Sequence, residues 1–282
     1  MEIIRQPRDM QRRIRESRRR GESIGFVPTM GAFHDGHLSL MRRASSENDL
    51  VVASLFVNPK QFGEASDLAA YPRDEATDAR LAGDAGVDIL YAPDVAAMYP
   101  PGFATTISVS GVSETLEGAM RGPSHFQGVA TVVAKLLNAV PCDRLYLGQK
   151  DAQQVAVLRR MVRDLDFDVE VVVCPTVREA DGLAMSSRNV RLKGDDRTRA
   201  LALRRGLDAA LTAIDRGTRD AGTVIDAATT AMRKDGVEPE YFAVVDASSL
   251  EPRTTLRGEI LLAVAARVGP VRLIDNELRQ IS

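Results

Sequence analysis

The chain has three histidines, and two of them, His34 and His37, lie three residues apart in the stretch Phe26-Val27-Pro28-Thr29-Met30-Gly31-Ala32-Phe33-His34-Asp35-Gly36-His37. Side chains at that spacing on a helix share a face, so both imidazoles can address one anion. The surrounding residues supply the mount. Ile24 to Val27 reads as a strand, Pro28 breaks it, and a helix runs from the histidines to about Glu47. A helix N-terminus adds unpaired N–H groups and a partial positive charge, which together favour an anion. Gly36 leaves room for close approach. The plain alternative is a structural turn with two incidental histidines, but the crowding of a scarce residue type favours chemistry. Zinc pairs on helices are usually spaced i, i+4 and have further ligands. Here the remaining histidine is the distant His125 and no cysteine is near in sequence, so no metal-ligand set is assigned.

Two further stretches carry charge where a strand meets a loop. In Leu147-Gly148-Gln149-Lys150-Asp151-Ala152-Gln153-Gln154, a strand ends in glycine and opens a helix. Lys150 supplies a cation, Asp151 could accept from ribose hydroxyls or cap the helix, and Gln154 could donate and accept at a small polar substrate. Taken alone, this pattern reads more readily as a capped surface helix. In Asp181-Gly182-Leu183-Ala184-Met185-Ser186-Ser187-Arg188-Asn189, two hydroxyls and an arginine follow a glycine, which suits a phosphate clamp and equally a polar linker.

The order of the three stretches is more telling than any one of them. PTMGAFHDGH, then GQKD, then MSSR, joined by FVNPKQFG, AYPRD, HFQGVATVV, KDAQQ and CPTVREADGLAMSSRN, resembles the pantoate–β-alanine ligase family of the HxGH nucleotidyltransferases. The resemblance covers residues 20–192 and, more loosely, the C-terminal part. It implies an ATP site lined by Met30, Gly31, Ala32, Phe33, His34, Asp35, Gly36 and His37. His34 and His37 would face the phosphates, with His37 as proton donor. Gly148, Gln149, Lys150 and Asp151 would meet ribose and phosphates, and Val177 and Met185 would lie by adenine. Ser186, Ser187 and Arg188 would clamp the triphosphate. His37, His34, Lys150 and Arg188 are the residues implied to carry catalysis. Gln61 and Gln154 would hold pantoate, and Gln61 would also face β-alanine. Asn58, Tyr71, Arg121 and His125 match positions around that pocket. Two departures stand out. The family commonly reads Arg-Pro-Gly-His-Phe where this chain has Arg121-Gly122-Pro123-Ser124-His125-Phe126, which leaves the register of Arg121 open. It also often has Glu where this chain has Gln149, a change expected to be minor because the charged work falls on Lys150 and Asp151.

The activity implied is ATP-dependent condensation of (R)-pantoate with β-alanine through a pantoyl adenylate, giving pantothenate, AMP and diphosphate on the way to coenzyme A. Mg²⁺ would neutralise the β,γ-phosphates and take mostly phosphate and water oxygens, so no carboxylate cage is required. Three other readings compete. An adenylyltransferase that stops after transfer to a phosphate would not form an amide, and the neutral amides of Asn58, Gln61 and Gln154 suit a hydroxy acid better. A class I aminoacyl-tRNA synthetase would need a basic surface. A nucleotide sensor that lost the chemistry would not need every charged motif residue, and here they all survive.

These residues need a scaffold, and the rest of the chain reads as one. With 282 residues, 44% hydrophobic and 27% charged, it can bury a large core. A net charge of −2 offers no bulk basic field for nucleic acid. The arginines of residues 12–20 are best read as one side of a solvated helix from Pro7 to about Arg20. No apolar run is long enough to span a bilayer and no signal peptide is expected. Cys142 and Cys174 sit in apolar segments, as buried reduced thiols of a cytoplasmic protein would.

Apolar runs Leu50–Val57, Val87–Tyr91, Arg144–Leu147 and Val169–Val173 alternate with helices at about Asp74–Ala85, Gly128–Ala139 and Asp151–Leu165. That is the pattern of an α/β, Rossmann-like doubly wound parallel sheet. Within the loop-rich residues 93–127, a strand at Thr106–Val109 and a short helix at Val112–Glu117 are expected. Beyond Arg191, a long helix capped by Asp195 or Asp196 reaches Arg216, and a second covers Ala221–Lys234. Strands then follow at Glu240–Val245, Glu259–Val268 and Val271–Ile274. This suggests a smaller α+β C-terminal domain, with a boundary within 178–190. The expected division is residues 1–185 for ATP and pantoate and 186–282 for a lid. A homodimer is expected from the resemblance alone.

Overall fold

The computed structural model describes residues 1–63 and 68–282. They form two compact units. One comprises Met1–Gly148 and Val157–Pro175, the other Gln149–Ala156 and Thr176–Ser282.

The first unit is built on a six-stranded, all-parallel sheet. Its strands are β1 (Glu2–Ile4), β2 (Ile24–Thr29), β3 (Leu50–Leu55), β4 (Ile89–Tyr91), β5 (Arg144–Gly148) and β6 (Glu170–Cys174), in the order β1-β4-β3-β2-β5-β6. The apolar run of β3 is buried along Leu50–Ser54, as a strand covered on both faces requires. Strand order steps outward in opposite directions from β2 and β5, which pair at Gly25↔Arg144 and Phe26↔Leu145. Such a switch point leaves a crevice beyond the carboxyl ends of the two strands. The histidine stretch leaves β2 there.

Helices α1 (Pro7–Arg19), α2 (Asp35–Glu47), α3 (Glu75–Asp84), α4 (Val95–Met98), α5 (Leu116–Arg121), α6 (Pro123–Ala139) and α7 (Ala152–Asp164) connect the strands. On α2 the buried residues are Leu38, Met41 and Ala44, one stripe at helical spacing. Helix α1 is not solvated all round, because Met10 and Ile14 are fully buried on one side while its arginines face out. Strand β1 went unread in the sequence because it is three residues long.

The loop-rich stretch departs furthest from expectation. Thr106–Val109 is not a strand: the Ile107 N–H donates to Thr131 Oγ1 at 2.9 Å, so a side chain of α6 takes the place of a neighbouring strand. The short helix falls at Leu116–Arg121, after a turn over 111–115. Helix α6 starts at Pro123 rather than Gly128, because Pro is tolerated at the first helical position, where the lost N–H is unneeded.

The second unit contains α8 (Asp195–Arg199), α9 (Ala202–Asp215) and α10 (Ala221–Lys234) with an antiparallel sheet β7-β8-β9 of Pro239–Asp246, Gly258–Val268 and Val271–Ile281. The long helix expected from Asp195 is interrupted at 200–201, and its N-cap is Gly194 at φ +55°, not an aspartate. Strand β9 runs seven residues past the expected Ile274, since every residue to Ile281 pairs with β8. Its core packs Leu203, Leu207, Val224, Met232, Ile260 and Val264.

Candidate active site

In the first unit the chain leaves β2 at Thr29 and turns through Gly31 at φ +85° and Ala32 at φ +53°. A left-handed residue other than glycine costs roughly 1–2 kcal/mol, and a buried carboxylate holds it. Asp78 of α3 accepts from the N–H groups of Ala32 and Phe33, both at 2.8 Å, and is only 3% exposed. A Cβ at Gly31 would strike Leu55 and Asp78, so the turn is closed against both. Asp78 has no motif around it, and sequence reasoning missed it.

His34 is the N-cap of α2, and its extended backbone starts the helix at Asp35. Its Nδ1 accepts from the Gly36 N–H at 3.1 Å, and His37 Nδ1 accepts from the His34 N–H at 3.4 Å. The two imidazoles therefore do the work that Ser and Glu do in an ordinary capping box. An accepting Nδ1 carries no proton, so each ring's proton sits on Nε2. The rings lie 4.1 Å apart between centroids, and Phe33 stacks obliquely on His37 at 5.6 Å. Asp35 and Gly36 form the first turn. The arrangement places two imidazole N–H donors at a helix N-terminus, which is chemistry for an anion.

Gln61 ends the short helical turn Pro59–Gln61, and its amide is oriented by Asn58. Asn58 is 1% exposed. It accepts from Tyr99 Oη at 2.8 Å and donates to Gln61 Oε1 at 3.0 Å and to the Gly128 carbonyl at 3.1 Å. Both amide hydrogens are thus used, and the Gln61 Nε2 is left to point toward Met30 Sδ at 3.2 Å. Burial holds the Tyr99 phenol well above its ordinary pKa, so it stays a donor. Tyr71 is buried edge-on to Phe62, and His125 Nδ1 lies 2.8 Å from the Gln61 carbonyl. Arg121 is the last residue of α5 and pairs with Glu117 at 2.9 Å. At Gly148 nothing stands within 4 Å of where a Cβ would be.

In the second unit Gln149, Lys150 and Asp151 form one short helical turn, and Gln154 follows in the first turn of α7. Lys150 Nζ lies 3.7 Å from the Asp151 carboxylate. The Gln149 amide donates to Asn276 Oδ1 at 2.9 Å, so the side chain that differs from the family pattern has a partner of its own. Met185 N–H donates to the Val177 carbonyl at 3.0 Å, which brings the two adenine candidates together. Ser186, Ser187 and Arg188 follow half-buried, and Ser186 Oγ accepts from the Arg188 N–H at 3.3 Å. Arg178 anchors this stretch. It donates to both oxygens of Asp275, at 2.7 and 3.0 Å, to Glu277 at 3.0 Å and to the Gly182 carbonyl at 3.1 Å. Burial works against the Arg178 charge, but Asp275 outweighs it and keeps its pKa above the ordinary value. Cys142 and Cys174 are buried free thiols, and burial pushes the Cys142 pKa up to about 12. Among the described residues no three His, Cys, Asp or Glu side chains gather as a metal site, and no helix is long and apolar enough to cross a membrane.

Comparison with known proteins bears on this geometry. The family model for pantoate-beta-alanine ligase matches residues 2–278. The pantothenate synthetase of Rhizorhabdus wittichii is 51% identical over 277 residues, covering 98% of both chains. That of Heliobacterium modesticaldum is 50% identical over the whole of both. The crystal structure of pantothenate synthetase from Thermus thermophilus superposes with a TM-score of 0.92 at 46% identity, covering 98% of this chain and 99% of that one. The pantoate-beta-alanine ligase from Francisella tularensis, solved with β,γ-ATP and β-alanine, superposes with a TM-score of 0.79 at 35% identity, covering 99% and 97%.

Proposed function

The chain belongs to the pantoate–β-alanine ligase family, and on that premise we propose how its own residues divide the reaction. It is a ligase that joins pantoate to β-alanine, with ATP as a substrate. A carboxylate is a poor acyl donor because oxide would have to leave. A pantoate oxygen attacks the α-phosphorus, the bond to the β-phosphate breaks, and pyrophosphate departs. The β-alanine nitrogen then attacks the acyl carbon of the pantoyl adenylate. The carbon–oxygen bond to AMP breaks, and the amine gives up a proton. Charge builds on phosphoryl oxygens, so the protein's task is to place donors and hold substrates in line.

His34 and His37 present their Nε2–H groups to the phosphates, and His37 acts as the proton donor. Lys150, Ser186, Ser187 and Arg188 take up charge on the triphosphate, with Lys150 and Arg188 the cations of the chemical step. Met30 to Phe33, Asp35, Gly36, Gly148, Gln149 and Asp151 line the nucleotide, and Val177 and Met185 lie by adenine. Gln61 and Gln154 hold pantoate, and Gln61 also meets β-alanine. The observation that carries this reading is the pair of Nδ1 acceptors, which turns both ring protons outward from the cap of α2.

Mg²⁺ would enter with the nucleotide, keeping phosphate and water oxygens. Bound there, it would neutralise the β,γ-phosphates. A homodimer, a cytoplasmic location, and a division into residues 1–185 for ATP and pantoate and 186–282 as a lid belong to the same proposal.

The test is to incubate purified protein with ATP, Mg²⁺ and pantoate, with and without β-alanine, following pyrophosphate and AMP separately. Pyrophosphate release should require pantoate, and AMP release should require β-alanine. Pyrophosphate release indifferent to pantoate would overturn the adenylate route.

A further inference from the structure

Asn276 sits on β9 and is 4% exposed. Its side chain makes three hydrogen bonds, all to the turn that carries Lys150. Nδ2 donates to the carbonyls of Gln149 at 3.0 Å and Lys150 at 2.8 Å, while Oδ1 accepts from Gln149 Nε2 at 2.9 Å. This exhausts the two amide hydrogens and fixes the amide orientation, since the reverse would set oxygen against two carbonyls. The bonds close no element of the sheet. They tie down the peptide units on either side of the Lys150 Cα. Next to it, Asp275 holds Arg178, which in turn holds the Gly182 carbonyl.

We infer that Asn276 is a positioning residue for the ligation: it fixes the backbone of Gln149 and Lys150 so that the Lys150 ammonium meets a phosphate in line. This rests on the proposed role of Lys150. A long side chain can reach a phosphate from many backbone placements, but only a narrow set puts its charge where it develops. A misplacement of about 1 Å can lower a rate by about 100-fold. Gln149 belongs to the same device, because its amide donor occupies Asn276 Oδ1 and leaves Nδ2 wholly to the two carbonyls.

The test is a double-mutant cycle. Asn276→Asp keeps the shape and sets an oxygen against the two carbonyls. It should lower kcat/KM for ATP by roughly 10- to 100-fold, leave KM for pantoate within about twofold, and leave the melting transition cooperative. Lys150→Ala should lower the same constant by at least about 100-fold. In the Lys150→Ala background, Asn276→Asp should change it by less than about twofold. Asn276→Ser, which retains one donor, carries the same comparison should the aspartate variant fail to fold. An equal factor in both backgrounds would overturn the inference while leaving Lys150 in its role, and so would unchanged ATP kinetics in folded Asn276→Asp. Wild-type kinetics in Lys150→Ala would overturn the role of Lys150 and the inference with it.

Discussion

In the first unit the two imidazoles at the start of α2 are themselves part of the structure that holds them. His34 and His37 cap their own helix through bonds that span two or three residues, and the preceding turn is held by the distant Asp78. In the second unit the turn of Lys150 and the stretch leading to Ser186–Arg188 also take distant partners. Their turns are held by Asn276, Asp275 and Arg178 across 97 to 127 residues of chain. The capping bonds of the first arrangement are short-range. The second depends on one strand and a buried ion pair.

Removing the ion pair should give the largest effect. Arg178→Met leaves the Asp275 carboxylate, with a side chain only 3% exposed, without its main counter-charge, and should lower the unfolding free energy by about 3–5 kcal/mol. Hydrogen exchange should quicken in 176–188 and 271–281 and stay unchanged in Asp35–Glu47. Equal quickening in both places would erase the contrast between the units.

Next in size is His37→Ala, which should cut turnover at least about 100-fold, equivalent to about 2.7 kcal/mol. Pyrophosphate release reads it, and a variant with normal turnover would remove His37 from the mechanism.

Asp78→Asn probes the long-range support of the turn before His34. The amide sets a donor against one of two backbone N–H groups, which should cost about 2 kcal/mol in a denaturant titration. A variant of unchanged stability would mean that the left-handed turn at Gly31 and Ala32 holds itself.

The same contrast decides what could be read from the sequence. The histidine stretch was legible because strand, turn, cap and donors are contiguous, and the parallel sheet was legible because its strands are apolar runs. Lys150 stood out as a cation just after a strand-ending glycine, and Arg188 as an arginine following two hydroxyls. The residues that support the candidate site did not, because Asp78, Tyr99 and Asn276 act through contacts that no local pattern encodes. Strand β9 shows why. Asp275 and Asn276 are poor strand formers, so the strand was expected to stop before them. Pairing with β8 overrides that preference and carries into the sheet the two residues that hold the loops. Thr106–Val109 failed in the opposite sense: its β-branched residues suggest a strand, but Thr131 satisfies Ile107 instead.

The capping histidines also determine which mutations these positions can absorb. One rigid ring accepts at its inner nitrogen and donates at its outer one, with the separation fixed by aromatic geometry. Asparagine can copy the inner acceptor but falls short of the outer donor. Glutamine can reach outward but gives up the inner contact on a flexible stem. No single genetically encoded side chain reproduces both ends, so His34 and His37 have no conservative neighbour in sequence space, and any drift at either position loses the inner acceptor or the outer donor.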